Sequence, residues 1–148
     1  MKLCMIGTGY VGLVSGVCFS DVGNKVYCVD KDEKKIDLLN NGKVPIYEPG
    51  LEEILKKNHR QKRLIFTSDL KKAVNNSDII FICLMASVAR AILPKINFRG
   101  DHQIISVMAH INRDELISYC LPAKNICITI PLPFVAKGDP LQQKAKEW

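Results

Sequence analysis

With 148 residues, the chain has the length of one ordinary domain, since single hydrophobic cores belong to chains of roughly 100–200 residues. A hydrophobic fraction of 47% and a charged fraction of 24% exclude the disordered, collagen-like and disulfide-built classes. The net charge of +6 comes from dispersed Lys and Arg without an aromatic stacking platform, which disfavours a nucleic-acid partner.

The order of apolar runs and amphipathic stretches along the chain predicts an α/β fold. Short apolar runs predict strands at Lys2–Ile6, Lys25–Val29, Leu64–Thr67, Asp78–Cys83, Gln103–Met108 and Asn125–Ile130. Helical patterns occupy Tyr10–Val22, Asp32–Asn41, Gly50–His59, Asp69–Val74, Met85–Leu93 and Arg113–Cys120. Alternating strands and helices predict a doubly wound parallel sheet of about six strands with helices on both faces. The proline-rich residues 131–140 predict a loop, and 141–148 the start of a helix.

Turn and cap signals lie at the helix boundaries that these patterns predict. Asn41 and Gly42 are suited to end the second helix in a left-handed cap. Ser68 is suited to cap the fourth helix, and Asn112 with Glu115 resembles a capping box at the start of the sixth.

Cysteine usage and hydropathy favour a cytoplasmic protein. Six cysteines form no CxxC pair, which favours buried thiols over a metal site or disulfides. Cys4, Cys28, Cys83 and Cys127 fall within apolar, strand-like runs, where burial is expected. No apolar run approaches the roughly 20 residues that cross a bilayer, and no signal peptide is recognised, so no membrane partner is expected.

A glycine-rich motif, GTGYVG, lies at residues 7–12 between the first predicted strand and the first helix. Gly7 permits a tight turn, Gly9 lets the backbone approach a pyrophosphate, and Gly12 lets the helix pack closely on the strand. The first amides of the helix, around Tyr10 and Val11, would face the phosphates. This context is typical of the Rossmann dinucleotide-binding fold.

Asp30, at the end of the second predicted strand, follows Gly12 by 18 residues. Its carboxylate is suited to accept hydrogen bonds from both adenine-ribose hydroxyls and would repel the 2′-phosphate of NADP. The sequence therefore favours NAD. Lys31 and Lys34 are interpreted as a solvated helix face, whereas Lys35 is spaced to fold back over the ribose.

Residues 1–83 resemble the UDP-glucose 6-dehydrogenase and GDP-mannose dehydrogenase family. The resemblance rests on MIGTGYVGLVSG, on VYCVDKDEKKIDLLNNGKVPIYEPGLEEIL with its PIYEPGL stretch at 45–51, and on LIFTSDLKKAVNNSDIIFIC. It implies that Gly7–Gly12, Asp30 and Lys35 bind NAD.

After Cys83 the pattern of that family changes. Its Thr-Pro pair beside the nicotinamide is replaced by LMAS at 84–87, and its Ser-Thr-Val-Pro by SVMAH at 106–110. Instead IISVMA at 104–109, DEL at 114–116 and IPLPFVAKGDP at 130–140 resemble pyrroline-5-carboxylate reductases. We therefore predict one dinucleotide-binding domain, 1–148, with a boundary between two resemblances near 83/84, of natural or engineered origin. No substrate domain is expected within it.

The expected site binds a cofactor and carries no catalytic residue or metal. Its predicted members are Gly7, Gly9, Tyr10, Val11, Gly12, Asp30, Lys35, Leu84, Met85 and Ala109. Cys83, Cys120 and Cys127 are interpreted as buried thiols rather than nucleophiles. His110 follows the fifth strand, where a ligand contact and a solvated role both stay open, and His59 and His102 are expected to be solvated.

Two functions follow: the NAD-binding half of an oxidoreductase of this family, or an inactive chimera that only binds nucleotide. The expected partner is a nicotinamide dinucleotide. The oligomeric state, including a homo-oligomer, stays open.

Overall fold

A computed structural model describes residues 1–129, and the predictions made for Ile130 and for residues 131–148 lie outside them. The strands are β1 Lys2–Ile6, β2 Lys25–Val29, β3 Leu64–Thr67, β4 Ile79–Ile82, β5 Gln103–Ser106 and β6 Asn125–Ile128. The helices are α1 Tyr10–Asp21, α2 Glu33–Asn40, α3 Leu51–Arg60, α4 Leu70–Asn75, α5 Ala86–Ile92 and α6 Arg113–Cys120, and a 3₁₀ turn, Leu93–Lys95, follows α5.

The six strands form one parallel sheet in the order β3-β2-β1-β4-β5-β6. This is the doubly wound order of the Rossmann fold, and it confirms the fold class predicted from the sequence. The chain starts in the middle of the sheet, builds one half outwards, and crosses back to β4 beside β1. In the register, Ile6 at the end of β1 lies opposite both Val29 and Ile82. The carboxyl ends of β1, β2 and β4 therefore meet at one edge of the sheet.

Alternation along the strands divides the core into two layers. Leu3 and Met5 of β1 point to the layer covered by α1, α2 and α3, where Leu13 and Leu55 are fully buried. Cys4 and Ile6 point to the opposite layer, which α4, α5 and α6 cover. Because both faces of the central strands are buried, these strands are continuously apolar, which is why the sequence showed runs and not alternation.

Three predicted helix boundaries can be compared with the structure. Gly42 ends α2 with φ +74°, as predicted. The Asn112 side chain caps α6 by accepting a hydrogen bond from the Glu115 amide at 2.7 Å, but the Glu115 carboxylate accepts hydrogen bonds from Arg90, so only the Asn112 half of the predicted capping box forms. The prediction that Ser68 caps the fourth helix is wrong. Asp69 is the cap, and its carboxylate accepts a hydrogen bond from the Lys72 amide at 2.9 Å.

Burial differs from expectation at four side chains, one of which is Cys83, a half-buried rather than buried thiol. Cys127 is exposed rather than buried, and it lies on β6, which is an edge strand of the sheet formed by residues 1–129. His102 is fully buried instead of solvated, and its Nδ1 accepts a hydrogen bond from the Arg99 amide at 3.0 Å. His59 is half-buried, with Nδ1 3.1 Å from the Leu64 carbonyl oxygen. Within residues 1–129, no helix has the length and apolarity to cross a membrane.

Candidate dinucleotide-binding site

The turn between β1 and α1 depends on Gly7. Its φ of +101° is a backbone conformation that residues with a side chain rarely adopt. Its amide donates a hydrogen bond to the Val29 carbonyl oxygen at 2.8 Å. A Cβ at Gly7 would lie 2.6 Å from the Cys83 carbonyl oxygen. Gly7 therefore closes the turn tightly against both neighbours of β1.

Gly12 brings the first helix close to this turn. A Cβ on Gly12 would lie 1.9 Å from the Gly7 carbonyl oxygen, and one on Gly16 would lie 2.5 Å from Cys28 Sγ. Both glycines thus serve the packing of α1 on the sheet. Gly12 acts by shaping the loop. Among the predicted site residues it is the one that lines neither of the two clefts at the carboxyl edge of the sheet.

Gly9 occupies the N-cap of α1 and faces open space. A Cβ there would meet nothing within 4 Å, and the backbone, with φ −67°, is accessible to any residue. No side chain caps the helix and its first turn contains no acidic residue. The first backbone amides of a helix have no intrahelical acceptor, so this end of α1 is suited to an anionic group such as a phosphate.

Asp30 follows β2 and is held by four donors. Its Oδ2 accepts hydrogen bonds from the Thr8 hydroxyl at 2.6 Å, the Thr8 amide at 3.2 Å and Lys35 Nζ at 2.8 Å. Its Oδ1 accepts one from the Asp32 amide at 3.2 Å. Burial opposes ionisation of this carboxyl, but the hydrogen bonds outweigh it and lower the pKa to about 2. Asp30 is therefore an anion at neutral pH.

Two clefts open along the carboxyl edge of the sheet. The first cleft, of about 470 Å³, lies beside Asp30, and the second cleft, of about 530 Å³, lies between the ends of β4 and β5. The predicted site residues in the first cleft are Gly7, Gly9, Asp30, Lys35, Leu84 and Met85. Those in the second cleft are Tyr10, Val11, Leu84, Met85 and Ala109. Leu84 and Met85 thus form a wall between the two clefts.

The site also contains side chains that the sequence did not single out as site residues. Thr8 is buried and bonds Asp30 twice, although the motif leaves its position free. The exposed Tyr10 donates a hydrogen bond to Glu48, which ties the 45–51 loop to the start of α1. His110 lines the second cleft with φ +61°, and its carbonyl oxygen accepts a hydrogen bond from Arg90.

The thiols near the clefts are poor nucleophiles. Burial raises the pKa of Cys83, which lines both clefts, to about 12, and it raises that of Cys120 to about 12 as well. Both thiols are neutral at physiological pH, in line with the expectation for these two residues. Among residues 1–129, no group of three or more His, Cys, Asp or Glu side chains is placed to hold a metal ion.

Comparison with known proteins places these features in a family. The model of the "UDP-glucose/GDP-mannose dehydrogenase family, NAD binding domain" matches residues 1–117. The UDP-glucose 6-dehydrogenase TuaD of Bacillus subtilis is 57% identical over 83 residues, which are 56% of this chain and 18% of that protein. The UDP-glucose 6-dehydrogenase YwqF of the same organism is 40% identical over 120 residues, 79% of this chain and 26% of that protein. The chain thus spans about a quarter or less of these relatives.

Solved structures agree with this grouping. The ternary complex of GDP-mannose dehydrogenase from Pseudomonas aeruginosa superposes with a TM-score of 0.72 at 30% identity, covering 86% of this chain and 35% of that one. The NADP-bound pyrroline carboxylate reductase of Plasmodium falciparum, at 17% identity and a TM-score of 0.58 over 88% of this chain and 42% of that one, shares the fold alone. The family match continues through residue 117, beyond the predicted boundary at 83/84. Since it covers more than half of the chain, the chain belongs to the UDP-glucose/GDP-mannose dehydrogenase family and comprises its NAD binding domain.

Proposed function

We propose that the chain supplies the cofactor half of a hydride-transfer site, with NAD bound along the first and second clefts. The observation that carries the proposal is the pairing of an ionised Asp30 with an open glycine loop at the same sheet edge. The volumes of the two clefts, about 470 and 530 Å³, and their position along one sheet edge suit an extended dinucleotide. The free amides at the start of α1 suit its pyrophosphate, and Asp30 suits its adenine ribose.

Asp30 also supports a preference for NAD over NADP. Its negative charge would lie beside the 2′-phosphate of NADP, and like charges at close range are unfavourable. Lys31 and Lys35 line the same cleft, but Lys35 is already paired with Asp30 at 2.8 Å.

The second cleft is suited to the nicotinamide end. When bound, NAD supplies a hydride acceptor at its nicotinamide ring. The described residues around this cleft include Val107, Met108 and Ala109, which give one side of it an apolar lining. No ionised thiol lines it, since the pKa of Cys83 is raised to about 12 by burial. The chain's own role is therefore to bind and orient the cofactor.

Turnover requires a substrate carbon held about 3–3.5 Å from the ring, and such positioning supplies roughly 7–11 kcal/mol of the barrier. The clefts form one wall of such a site. LMAS at 84–87, where the family has Thr-Pro, favours a second candidate: a chimera joined near 83/84 that binds nucleotide without turnover. Both candidates predict NAD binding.

Side-by-side calorimetric titration with NAD and NADP tests the binding proposal. We expect NAD to bind more tightly, and we expect Asp30→Ala to weaken NAD about 10- to 100-fold while affecting NADP much less, because a hydrogen bond to a charged group contributes about 1.5–3 kcal/mol. Asp101→Ala is the matched control, since Asp101 is exposed and pairs with Arg99 away from both clefts. Equal affinities for the two cofactors in the unmutated chain would contradict the assignment of Asp30.

A second measurement tests whether this chain turns over a substrate on its own. NADH absorbance is followed at high protein concentration with UDP-glucose, GDP-mannose or pyrroline-5-carboxylate. We expect no steady turnover from this chain with any of them. Turnover that disappears in Gly9→Val would overturn the binding-only candidate and establish an active dehydrogenase.

A further inference from the structure

We propose that Thr8 is a positioning residue that fixes the Asp30 carboxylate and thereby sets the discrimination between NAD and NADP. The inference rests on the proposed function, because it assigns a cause to the cofactor preference of the same site. Thr8 occupies a variable position of the glycine motif, so the motif itself gives it no role.

Thr8 makes two hydrogen bonds to the Asp30 carboxylate, one from its side chain and one from its backbone. Thr8 is 2% exposed, and its hydroxyl donates to Asp30 Oδ2 at 2.6 Å while its amide donates to the same oxygen at 3.2 Å. The amide belongs to the tight turn after β1, so its direction is fixed by the backbone. The hydroxyl adds a second fixed donor, and together the two define the orientation of the carboxylate plane.

The number of hydrogen bonds that each Asp30 oxygen accepts shows why the orientation of the carboxylate matters. A carboxylate accepts about four hydrogen bonds, two at each oxygen. Oδ2 already accepts three, from Thr8 twice and from Lys35, whereas Oδ1 accepts one, from the Asp32 amide. One ribose hydroxyl therefore has a place on Oδ1, and the other must displace a donor from Oδ2.

Lys35 is the donor that gives way. Its ammonium lies at the end of a flexible stem, and its side chain is 28% exposed, whereas Thr8 is buried and its amide is held by the backbone. Bound ribose thus replaces Lys35 on Oδ2 while Thr8 keeps the carboxylate aimed into the cleft. Removing the Thr8 hydroxyl leaves Lys35 as the stronger partner and lets the carboxylate turn towards it. The ribose then loses a fixed acceptor, and the 2′-phosphate of NADP meets a less rigidly placed negative charge.

The test compares Thr8→Val, which removes the hydroxyl at nearly constant shape, with Thr8→Ser, which keeps it. Calorimetric titration of the full chain gives the ratio of NAD to NADP affinity for each variant. We expect Thr8→Val to lower this ratio about tenfold, the effect of one hydrogen bond to a charged acceptor, and Thr8→Ser to restore it. A Thr8→Val protein that keeps the ratio of the unmutated chain would overturn the proposal.

A second readout follows Asp30 directly in the ligand-free protein, by the NMR titration of its side-chain carboxyl carbon. In the unmutated chain and in Thr8→Ser the carboxyl should remain ionised down to acidic pH, whereas in Thr8→Val its pKa should rise. An Asp30 pKa that is the same in all three proteins would overturn the role of Thr8 even if the affinities changed. Circular dichroism verifies that each variant folds. If the methyl group that replaces the hydroxyl in Thr8→Val prevents folding, Thr8→Ala is used instead.

The outcomes separate this inference from the proposed function. If the unmutated chain binds neither NAD nor NADP, the proposed function fails and the role given to Thr8 fails with it. If the unmutated chain prefers NAD and loses that preference in Asp30→Ala but not in Thr8→Val, the function stands and the positioning role alone is refuted.

Discussion

Gly12→Ala tests whether the close approach of α1 to the sheet depends on a missing side chain. The added Cβ would lie 1.9 Å from the Gly7 carbonyl oxygen and 3.1 Å from Cys83 Cβ. The first of these contacts is to backbone, so no flexible side chain can move to relieve it. The start of α1 or the glycine turn must shift instead.

The size of the effect follows from two opposing terms. Forcing an extra carbon into a packed contact costs about 1–3 kcal/mol, and this contact, at 1.9 Å with backbone, belongs at the upper end. Replacing an interior helical Gly by Ala returns about 0.8–1.0 kcal/mol of helix propensity. We therefore expect a net loss of about 2 kcal/mol in the free energy of unfolding.

Gly9→Ala is the matched control, because a Cβ at Gly9 meets nothing within 4 Å and the backbone φ of −67° suits alanine. Its expected cost is about 0.5 kcal/mol, from the poorer N-cap. Urea unfolding followed by circular dichroism gives both free energies, provided that the slopes agree. Equal unfolding midpoints for Gly12→Ala and Gly9→Ala would refute the packing role of Gly12.

The remaining predictions concern the anion site, the pH dependence of stability and thiol reactivity. Gly9→Val should abolish NAD binding in calorimetry while leaving the circular dichroism spectrum unchanged, because the side chain fills the open space over the first amides of α1; retained affinity would make the loop a packing feature only. The pKa of Asp30 is lowered from about 3.9 in the unfolded chain to about 2, so its contribution to the free energy of unfolding is fully present above about pH 5 and is lost as the pH falls through 2. After allowance for solvent screening this amounts to about 1–2 kcal/mol, and Asp30→Asn should flatten the dependence of the urea midpoint on pH in this window; an unchanged slope would contradict the hydrogen-bonding scheme. Iodoacetamide at neutral pH should label the exposed Cys18 before Cys4 or Cys28, which are buried with raised pKa values, as mass spectrometry of peptides would show; labelling of Cys28 at the rate of Cys18 would contradict this burial.

The parts of the fold that were predictable from the sequence are those that depend on short-range pattern. Apolar runs bounded by turn residues gave every described strand within about two residues, as in β4, predicted to Cys83 and observed to Ile82. The right-handed crossover rule then restricted the strand order. The glycine motif and Asp30 were recognisable because their spacing reflects one local unit, a strand, a turn, a helix and a second strand.

What the sequence did not reveal depends on neighbours distant along the chain. Cys127 and Cys28 lie in similar apolar runs, but within residues 1–129 Cys28 has a strand on both sides and packs in the core, whereas Cys127 lies on an edge strand. His102 has polar neighbours in sequence and is buried beside Phe98 in space. The hydroxyl of Thr8 meets Asp30 22 residues away, a contact that no local pattern encodes.

Leu84 and Met85 separate the two clefts and come directly after Cys83, where the sequence resemblance changes. Asp30 and the residues that donate hydrogen bonds to it, Thr8, Asp32 and Lys35, all precede that point in the chain. The side of the second cleft from Val107 to His110 follows it. An exchange of the chain after residue 83 would therefore keep the charge and the hydrogen bonds beside the first cleft and would replace that side of the second cleft.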